Sequence, residues 1–379
     1  MTDIDVKHGQ QSTTPIHFDR PLLGHASFLH TALAGLSIDS RCTLDNGVVV
    51  ESLSEGVLKF TPSLAEDDSA KTALMISAGV HGNETAPIEL MDVLVDDILS
   101  GSQQLECSLL LVLANISAIR TQARFTNENM NRLFGGDKNT ECNEQSADRK
   151  NESEAARASE LIALSQQFFS QTAENKVHYD LHTAIRASKH ELFAISPNSS
   201  TKRDSGQSLE EHIEVLGRMG IEAVLTGTKS NTTFSAFTAR ECGATSFTLE
   251  LGQVRPFGEN DLSKLSAFDQ TLRLLIANKL KDKTDHSNKP TTYTIVQEVL
   301  KENDTFELSF EDDAANFTAF TQGEVIAKDD QHAVTAEQTG DCIVFPNADV
   351  NIGARALVIA RPLENLATNT HKESYHEED

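Results

Sequence analysis

The sequence predicts an α/β domain, a parallel sheet covered by helices on both faces, followed by a small β-rich domain. Three observations lead there. Apolar runs of strand length recur at 73–78, 109–114, 177–182 and 246–251. Segments of helical periodicity lie between them, as the crossovers of a parallel sheet require. Beyond residue 290 the texture changes to short β-like runs separated by polar turns.

Taken in order, residues 1–45 form an N-terminal extension with little periodicity. Residues 48–50 and 57–60, parted by a turn containing Gly56, predict a hairpin or a pair of edge strands. The run 73–78 is a buried strand. Residues 84–99 carry Ile88, Met91, Val95 and Ile98 on one helical face, with Asp92 and Asp96 on the other. A second buried strand follows at 109–114. From 135 to 159 the composition turns to Asp, Glu, Asn, Lys and Ser, a solvated loop with an acidic insertion at 137–153. It leads into a helix over 154–170. Strands are expected at 177–182, 192–195, 221–225 and 246–251, and helices at 209–219 and, long and amphipathic, 261–280. A polar stretch, 281–290, ends in Pro290 and reads as a linker. The first domain therefore spans 46–285. The β-rich domain spans 291–363, with runs at 291–299, 306–310, 324–328, 333–336, 342–345 and 356–360. Residues 364–379 are a polar tail.

The bulk numbers narrow the function. A chain of 379 residues can bury one large core and a smaller one. Its hydrophobic fraction of 39% is ordinary, and no run approaches the ~18 apolar residues a membrane helix needs. The first 20 residues are polar, with Asp3 and Asp5, and lack the pattern of a signal peptide, so cytoplasmic residence is expected. Five scattered cysteines without a C-x-x-C pair argue against a disulfide framework or a cysteine metal cluster. A net charge of −25 repels phosphate backbones and excludes nucleic acid as a partner. An anionic substrate would have to find local positive charge at its site.

The chemistry is concentrated in four places. His81 and Glu84 stand three residues apart where the strand at 73–78 breaks into a turn, so both side chains can point at one spot. Imidazole and carboxylate are standard zinc ligands. His182 ends a later strand, and strand ends of open α/β sheets are where ligands bind. Each histidine alone reads as a hydrogen-bonded polar residue; together with Glu84 they read as a three-ligand zinc site with a fourth position for water. Asp180 shares a strand face with His182 and could orient it, or cap a turn. Glu250 is a carboxylate in an otherwise apolar strand, a costly placement unless paired or used. Burial would raise its pKa towards the range of a general base; a salt-bridged structural glutamate is the alternative. Finally, 124–136 packs Arg124, Asn131 and Arg132 into one loop, and Arg186 and Arg240 stand near His182 and Glu250 in sequence. Arginine forks suit carboxylates.

These residues lie in motifs that resemble a known family. Ser77-Ala78-Gly79-Val80-His81-Gly82-Asn83-Glu84, Asn129-Met130-Asn131-Arg132-Leu133-Phe134-Gly135, Asp180-Leu181-His182-Thr183-Ala184-Ile185-Arg186 and Thr248-Leu249-Glu250-Leu251-Gly252 are similar to the succinylglutamate desuccinylase/aspartoacylase family of the zinc-carboxypeptidase-like superfamily. The resemblance covers roughly residues 45–361. It implies a three-layer α/β/α domain around a mixed sheet with a small β-rich C-terminal domain, and one Zn2+ held by His81, Glu84 and His182. It implies Glu250 as the base that activates water and Arg124 as a stabiliser of the oxyanion. Asn131, Arg132 and Arg240 match carboxylate-binding positions; Arg186 is a further candidate. The implied reaction is hydrolysis of N2-succinylglutamate to succinate and glutamate, closing an arginine-degrading pathway. The partner is a small anionic N-acyl amino acid, and a homo-oligomer is left open. Rival readings are a deacylase for another N-acyl amino acid, a metal-free binding protein on the same fold, and a zinc carboxypeptidase. Two departures stand out: Asn129 occupies a position where aspartoacylases have aspartate, and the acidic stretch 137–153 and the long N-terminus look like additions to the family pattern.

Overall fold

The apolar runs become neighbouring strands. The computed structural model of the chain describes residues 27–35, 41–63, 70–135, 153–171, 173–197, 208–228, 232–280 and 289–363. The first part runs α1 (Phe28–Leu33), β1 (Arg41–Thr43), β2 (Val49–Ser54), β3 (Val57–Thr61), β4 (Thr72–Ala78), α2 (Thr85–Leu99), β5 (Ser108–Leu113), α3 (Ile116–Thr121) and α4 (Glu154–Phe169). It continues with β6 (Asn175–Ala184), β7 (Leu192–Pro197), α5 (Leu209–Arg218), β8 (Ala223–Thr228), α6 (Phe234–Glu241), β9 (Thr245–Gln253) and α7 (Ser266–Ile276). The last part is all strand: β10 (Thr291–Leu300), β11 (Glu307–Leu308), β12 (Thr318–Ala319), β13 (Val325–Lys328), β14 (Ala333–Thr335), β15 (Cys342–Val344) and β16 (Arg355–Pro362).

Among the described residues the strands make a sheet of order β1-β2-β3-β5-β4-β6-β9-β7-β8-β10-β16-β15-β12, and a second, three-stranded sheet of order β11-β13-β14. Its centre, β5-β4-β6-β9, is parallel, while β7 runs antiparallel to β9 and β3 antiparallel to β5. The sheet is therefore mixed. Alternation along each strand sorts the core into two layers. Leu74, Ile76, Leu109, Leu111, Tyr179, Leu181, Phe247 and Leu249 pack with α1, α2, α5 and α7. Ala73, Met75, Leu110 and Val112 pack with α4 and α6 through Leu161, Phe168, Phe234 and Phe237. That is the three-layer arrangement.

One expectation is corrected. The long helix over 261–280 is shorter: Asp261 Oδ1 accepts the Ser263 amide and caps a 3₁₀ turn, Leu262–Leu265, before α7 begins. The helix stops where Asn278 takes a left-handed backbone, φ 50°, as asparagine tolerates. The C-terminal strands also join the main sheet, because β10 pairs in parallel with β8 and extends it. In the N-terminal extension, α1 places Phe28 and Ala32 in the core and β1 pairs with β2. The acidic insertion at 137–153 (residue 153 apart), most of the linker and the tail lie outside the described residues. No helix among the described residues is long and apolar enough to cross a membrane. Cys42, Cys107, Cys242 and Cys342 are free thiols, and burial pushes the Cys107 thiol up to about 12, as an unreactive core cysteine requires.

Candidate metal and catalytic site

The site forms where β4 turns into α2. Gly79 takes φ 70°, which starts the turn at little cost. Gly82 is needed for a different reason: a Cβ there would stand 2.1 Å from the Ala118 carbonyl carbon in α3. The turn is thus pressed against α3, and the Gly82 amide donates to the Arg124 carbonyl at 3.3 Å. Between and beyond these glycines stand His81 and Glu84, both buried, with His81 Nδ1 2.8 Å from Glu84 Oε1. Glu84 sits at the N-cap of α2, where the helix dipole favours a carboxylate.

His182 arrives from the end of β6, the strand next to β4. Its Nδ1 lies 2.9 Å from Glu84 Oε2, and the Thr183 amide donates to the same oxygen at 3.1 Å. The rings of His81 and His182 meet edge to face with centroids 5.2 Å apart. One ligand atom from each of His81, Glu84 and His182 falls within 4.8 Å of the others.

Hydrogen bonds fix which nitrogen each imidazole offers. His182 Nε2 lies 3.0 Å from Asp180 Oδ2, a carboxylate that can only accept, so Nε2 carries a proton and Nδ1 faces Glu84. His81 Nε2 likewise meets Asn129 Oδ1 at 3.0 Å, and that oxygen also accepts the Asn131 amide. Behind Asp180 the chain of bonds continues. Ser77 Oγ donates to Asp180 Oδ1 at 2.6 Å, so its lone pair receives His178 Nε2–H at 2.8 Å. His178 Nδ1 then accepts from Thr238 Oγ1 at 2.7 Å, and Ser246 Oγ follows at 2.8 Å. His178 must be neutral for this pattern, and burial holds its pKa down at about 4. A buried polar chain thus runs from α6 under the sheet to His182. Polar residues two apart in an apolar strand, His178-x-Asp180-x-His182, were its signal in the sequence; His178, Ser77 and Thr238 went unread.

Glu250 lies beside this pair on the same sheet face, in register with His182 across β6 and β9. It is 8% exposed, and its Oε2 is buried without a hydrogen-bond partner. The salt-bridged alternative has no support among the described residues. Burial, and next the negative charge of Glu84, push its pKa up to about 7. Burial pushes Glu84 the same way, but His81 and His182 outweigh it and hold that carboxylate far below its ordinary range. Two carboxylates at one site thus differ in basicity, the pattern that separates a ligand from a proton acceptor.

The predicted polar residues divide. Arg124 Nη1 donates to Glu84 Oε1 at 2.9 Å, so it stands at the cluster of His81, Glu84 and His182. Asn131 and Arg132 form a 3₁₀ turn, Met130–Arg132, joined to His81 through Asn129. Asn131 is buried, and its Oδ1 accepts the Phe234 amide at 3.0 Å, docking α6. Arg186 is drawn elsewhere, donating to the Asp312 carbonyl of the C-terminal strands. Arg240 contacts Glu241 and the Phe134 carbonyl. The helix α6 runs against β9, with Ser235 bonded to Thr248 and Thr238 to Ser246, so Arg240 lies towards the start of β9, away from Glu250.

The donor set fits a zinc ion. It offers one ring nitrogen from each of two imidazoles and a carboxylate, and supplies an outer acceptor for each imidazole. The unpaired Glu250 Oε2 lies beside it, as expected of a group reserved for a ligand.

Comparison with known proteins agrees with this architecture. The family profile described as succinylglutamate desuccinylase/aspartoacylase catalytic domain matches residues 70–276, and the AstE/AspA barrel-sandwich hybrid domain matches 288–363. The succinylglutamate desuccinylase of Burkholderia cenocepacia is 40% identical over 350 residues, covering 90% of this chain and 96% of that one. The crystal structure of succinylglutamate desuccinylase from Vibrio cholerae superposes with a TM-score of 0.78 at 37% identity, covering 89% of this chain and 94% of the other. That from Chromobacterium violaceum gives 0.73 at 38%, covering 89% and 97%. With a matching profile over most of its length and relatives of this identity and coverage, the chain belongs to the succinylglutamate desuccinylase/aspartoacylase family.

Proposed function

We propose that this protein is a zinc-dependent amidohydrolase that splits N2-succinylglutamate into succinate and glutamate, the closing step of an arginine-degrading pathway. The reaction class rests on one observation: two imidazoles and a carboxylate converge beside a second, buried carboxylate with an unpaired oxygen. The substrate rests on the names of the relatives. His81 Nδ1, Glu84 and His182 Nδ1 would hold the metal, which when bound lowers the pKa of water and polarises the scissile carbonyl. Asn129 and Asp180 keep the two imidazoles in the tautomer that offers Nδ1.

Glu250 then acts as the proton carrier. Its carboxylate takes a proton from the attacking water and passes it to the departing glutamate nitrogen. A pKa of about 7 suits both halves of that task. Arg124 brings a guanidinium to the ligand cluster, where it opposes the negative charge that develops on the carbonyl oxygen. Arg132 and Asn131 bind a substrate carboxylate at the adjoining turn. The test is hydrolysis of N2-succinylglutamate by purified protein, with and without chelator, N-acetylaspartate being run in parallel. Turnover of the first that chelation abolishes and zinc restores supports the reading. Preferential turnover of the second would replace it with an aspartoacylase.

A further inference from the structure

We infer that His178 and Ser77 are positioning residues for the metal site: together they hold Asp180 as a fixed acceptor for His182 and so aim the His182 ring. The inference rests on the metal site proposed above. Three features of the fold carry it.

The first is register. Ser77 on β4 stands beside Asp180 on β6, and His178 stands beside Ser246 on β9. His178, Asp180 and His182 alternate along β6, so all three share the face that α6 covers. From α6, Thr238 reaches the His178 ring, and the Phe234 ring meets it edge to face with centroids 5.0 Å apart. Ser77, His178, Asp180 and Thr238 are wholly buried, so their bonds must be met within the chain.

The second is the supply of protons. Ser77 has one hydroxyl proton and two groups that could claim it, Asp180 Oδ1 at 2.6 Å and His178 Nε2 at 2.8 Å. A hydroxyl bond to a carboxylate is the shorter and stronger kind, so the proton goes to Asp180. His178 must then bring its own proton on Nε2. Burial opposes a second proton on the ring, so Nδ1 is bare and accepts from the Thr238 hydroxyl at 2.7 Å. That hydroxyl forgoes the Ser235 carbonyl at 3.1 Å, its alternative acceptor within α6. Every bond therefore points one way, from Thr238 to His178 to Ser77 to Asp180.

The third is where the train of bonds ends. Asp180 has one oxygen tied to Ser77 and the other to His182 Nε2 at 3.0 Å. A carboxylate held at both oxygens cannot swing about its terminal torsion, and the imidazole it faces is held with it. The other tautomer of His178 would claim the Ser77 proton and set a lone pair of Ser77 against Asp180 Oδ1. Asp180 would then lose its anchor, and His182 its fixed plane. The same helix secures the second imidazole. Its Phe234 amide donates to Asn131 Oδ1, the Asn131 amide donates to Asn129 Oδ1, and that oxygen meets His81 Nε2. One short helix thus braces both histidines.

The test uses the full-length protein, metal-depleted and zinc-loaded, with its His178→Gln, His178→Asn and Ser77→Ala variants. Glutamine carries an amide N–H about where imidazole has Nε2, and asparagine an acceptor oxygen about where it has Nδ1. Glutamine can therefore still donate to Ser77, whereas asparagine serves only Thr238. In chelator competition, His178→Asn and Ser77→Ala should weaken zinc binding about 10- to 100-fold, and His178→Gln far less. The double variant Ser77→Ala/His178→Asn should lose no more than either single one, because both break the same train. In the metal-depleted wild type, nitrogen NMR spectra should show His178 protonated at Nε2 alone. The low-field Nε2 proton of His182 should persist in His178→Gln and vanish in His178→Asn. Equal zinc affinity of the glutamine and asparagine variants, or a proton on His178 Nδ1, would overturn the proposal and leave His178 as a packing residue under α6. If the wild type binds no zinc, the metal reading fails instead. The two NMR measurements need no metal and still decide whether the train exists.

Discussion

Replacing Glu250 with glutamine should cost activity and gain stability in the same molecule. The amide matches the carboxylate in size, so the packing of β9 between β6 and β7 is preserved. What changes is charge. A carboxyl that titrates near 7 rather than at the ordinary 4.5 is held ionised at a cost of about 3 kcal/mol, at 1.36 kcal/mol per pH unit. The cost is absent while the group is protonated in both folded and unfolded chains. It sets in as pH rises past 4.5 and is complete above about 7. In metal-depleted protein, Glu250→Gln should therefore match wild type near pH 5 and exceed it at pH 8. About 3 kcal/mol is the ceiling, since the glutamine also leaves polar atoms to be bonded. Turnover of the zinc-loaded variant should fall about 10²–10⁴-fold, the usual contribution of a general base. Denaturant unfolding at the two pH values, zinc content and kcat on one preparation decide the matter. A variant less stable at pH 8 with normal kcat would mean that Glu250 is a paired structural residue and that its role as base is wrong.

Other perturbations follow from the same geometry. Elemental analysis should find one zinc per chain, lost in His182→Ala; full retention would remove His182 from the ligand set. Arg132→Ala should raise KM by the roughly 1.5–3 kcal/mol of a hydrogen bond to a charged group while leaving zinc in place, and an unchanged KM would show that the 3₁₀ turn does not touch substrate. Gly82→Ala forces a Cβ to within 2.1 Å of the Ala118 carbonyl carbon, and overpacking of that kind costs about 1–3 kcal/mol or more; a normal thermal midpoint and zinc content would contradict the close approach. A profile of kcat/KM against pH should lose rate on the acid side, with a midpoint at or below about 7 because a bound cation favours the Glu250 carboxylate, and a limb unchanged in the small residual rate of Glu250→Gln would assign it to another group.

Most of the fold was legible because its strands are unbroken apolar runs, and burial on both faces of a sheet demands such runs. The short helices were not. The helix α6 spans eight residues, Phe234–Glu241, and mixes Ser, Thr, Arg and Phe, so no clean helical face shows in it. Its one local sign is Thr233, whose side chain caps the Ala236 amide. The helix α3 is held in place by Gly79 and Gly82 packing on it, a contact remote in sequence. The joining of β10 to β8 depends on register across 68 residues of chain (Thr291 to Ala223), which no local pattern encodes.

The cluster of His81, Glu84 and His182 was legible for a different reason: its members break the apolar pattern at and just after strand ends. Arginines carry no such signal, because a solvated arginine and a substrate-binding one read alike. Arg186, four residues from His182, is turned to the Asp312 carbonyl. Asn129 shows what charge balance adds. The site already buries Glu84, Asp180 and Glu250, and a zinc ion with Arg124 would offset these three negative charges. A fourth carboxylate at position 129 would leave the cluster negative and push the Glu250 proton on more tightly, since a like charge disfavours ionisation. A neutral amide gives His81 the same acceptor and fixes the same tautomer, while leaving Glu250 free to ionise and take the proton of water.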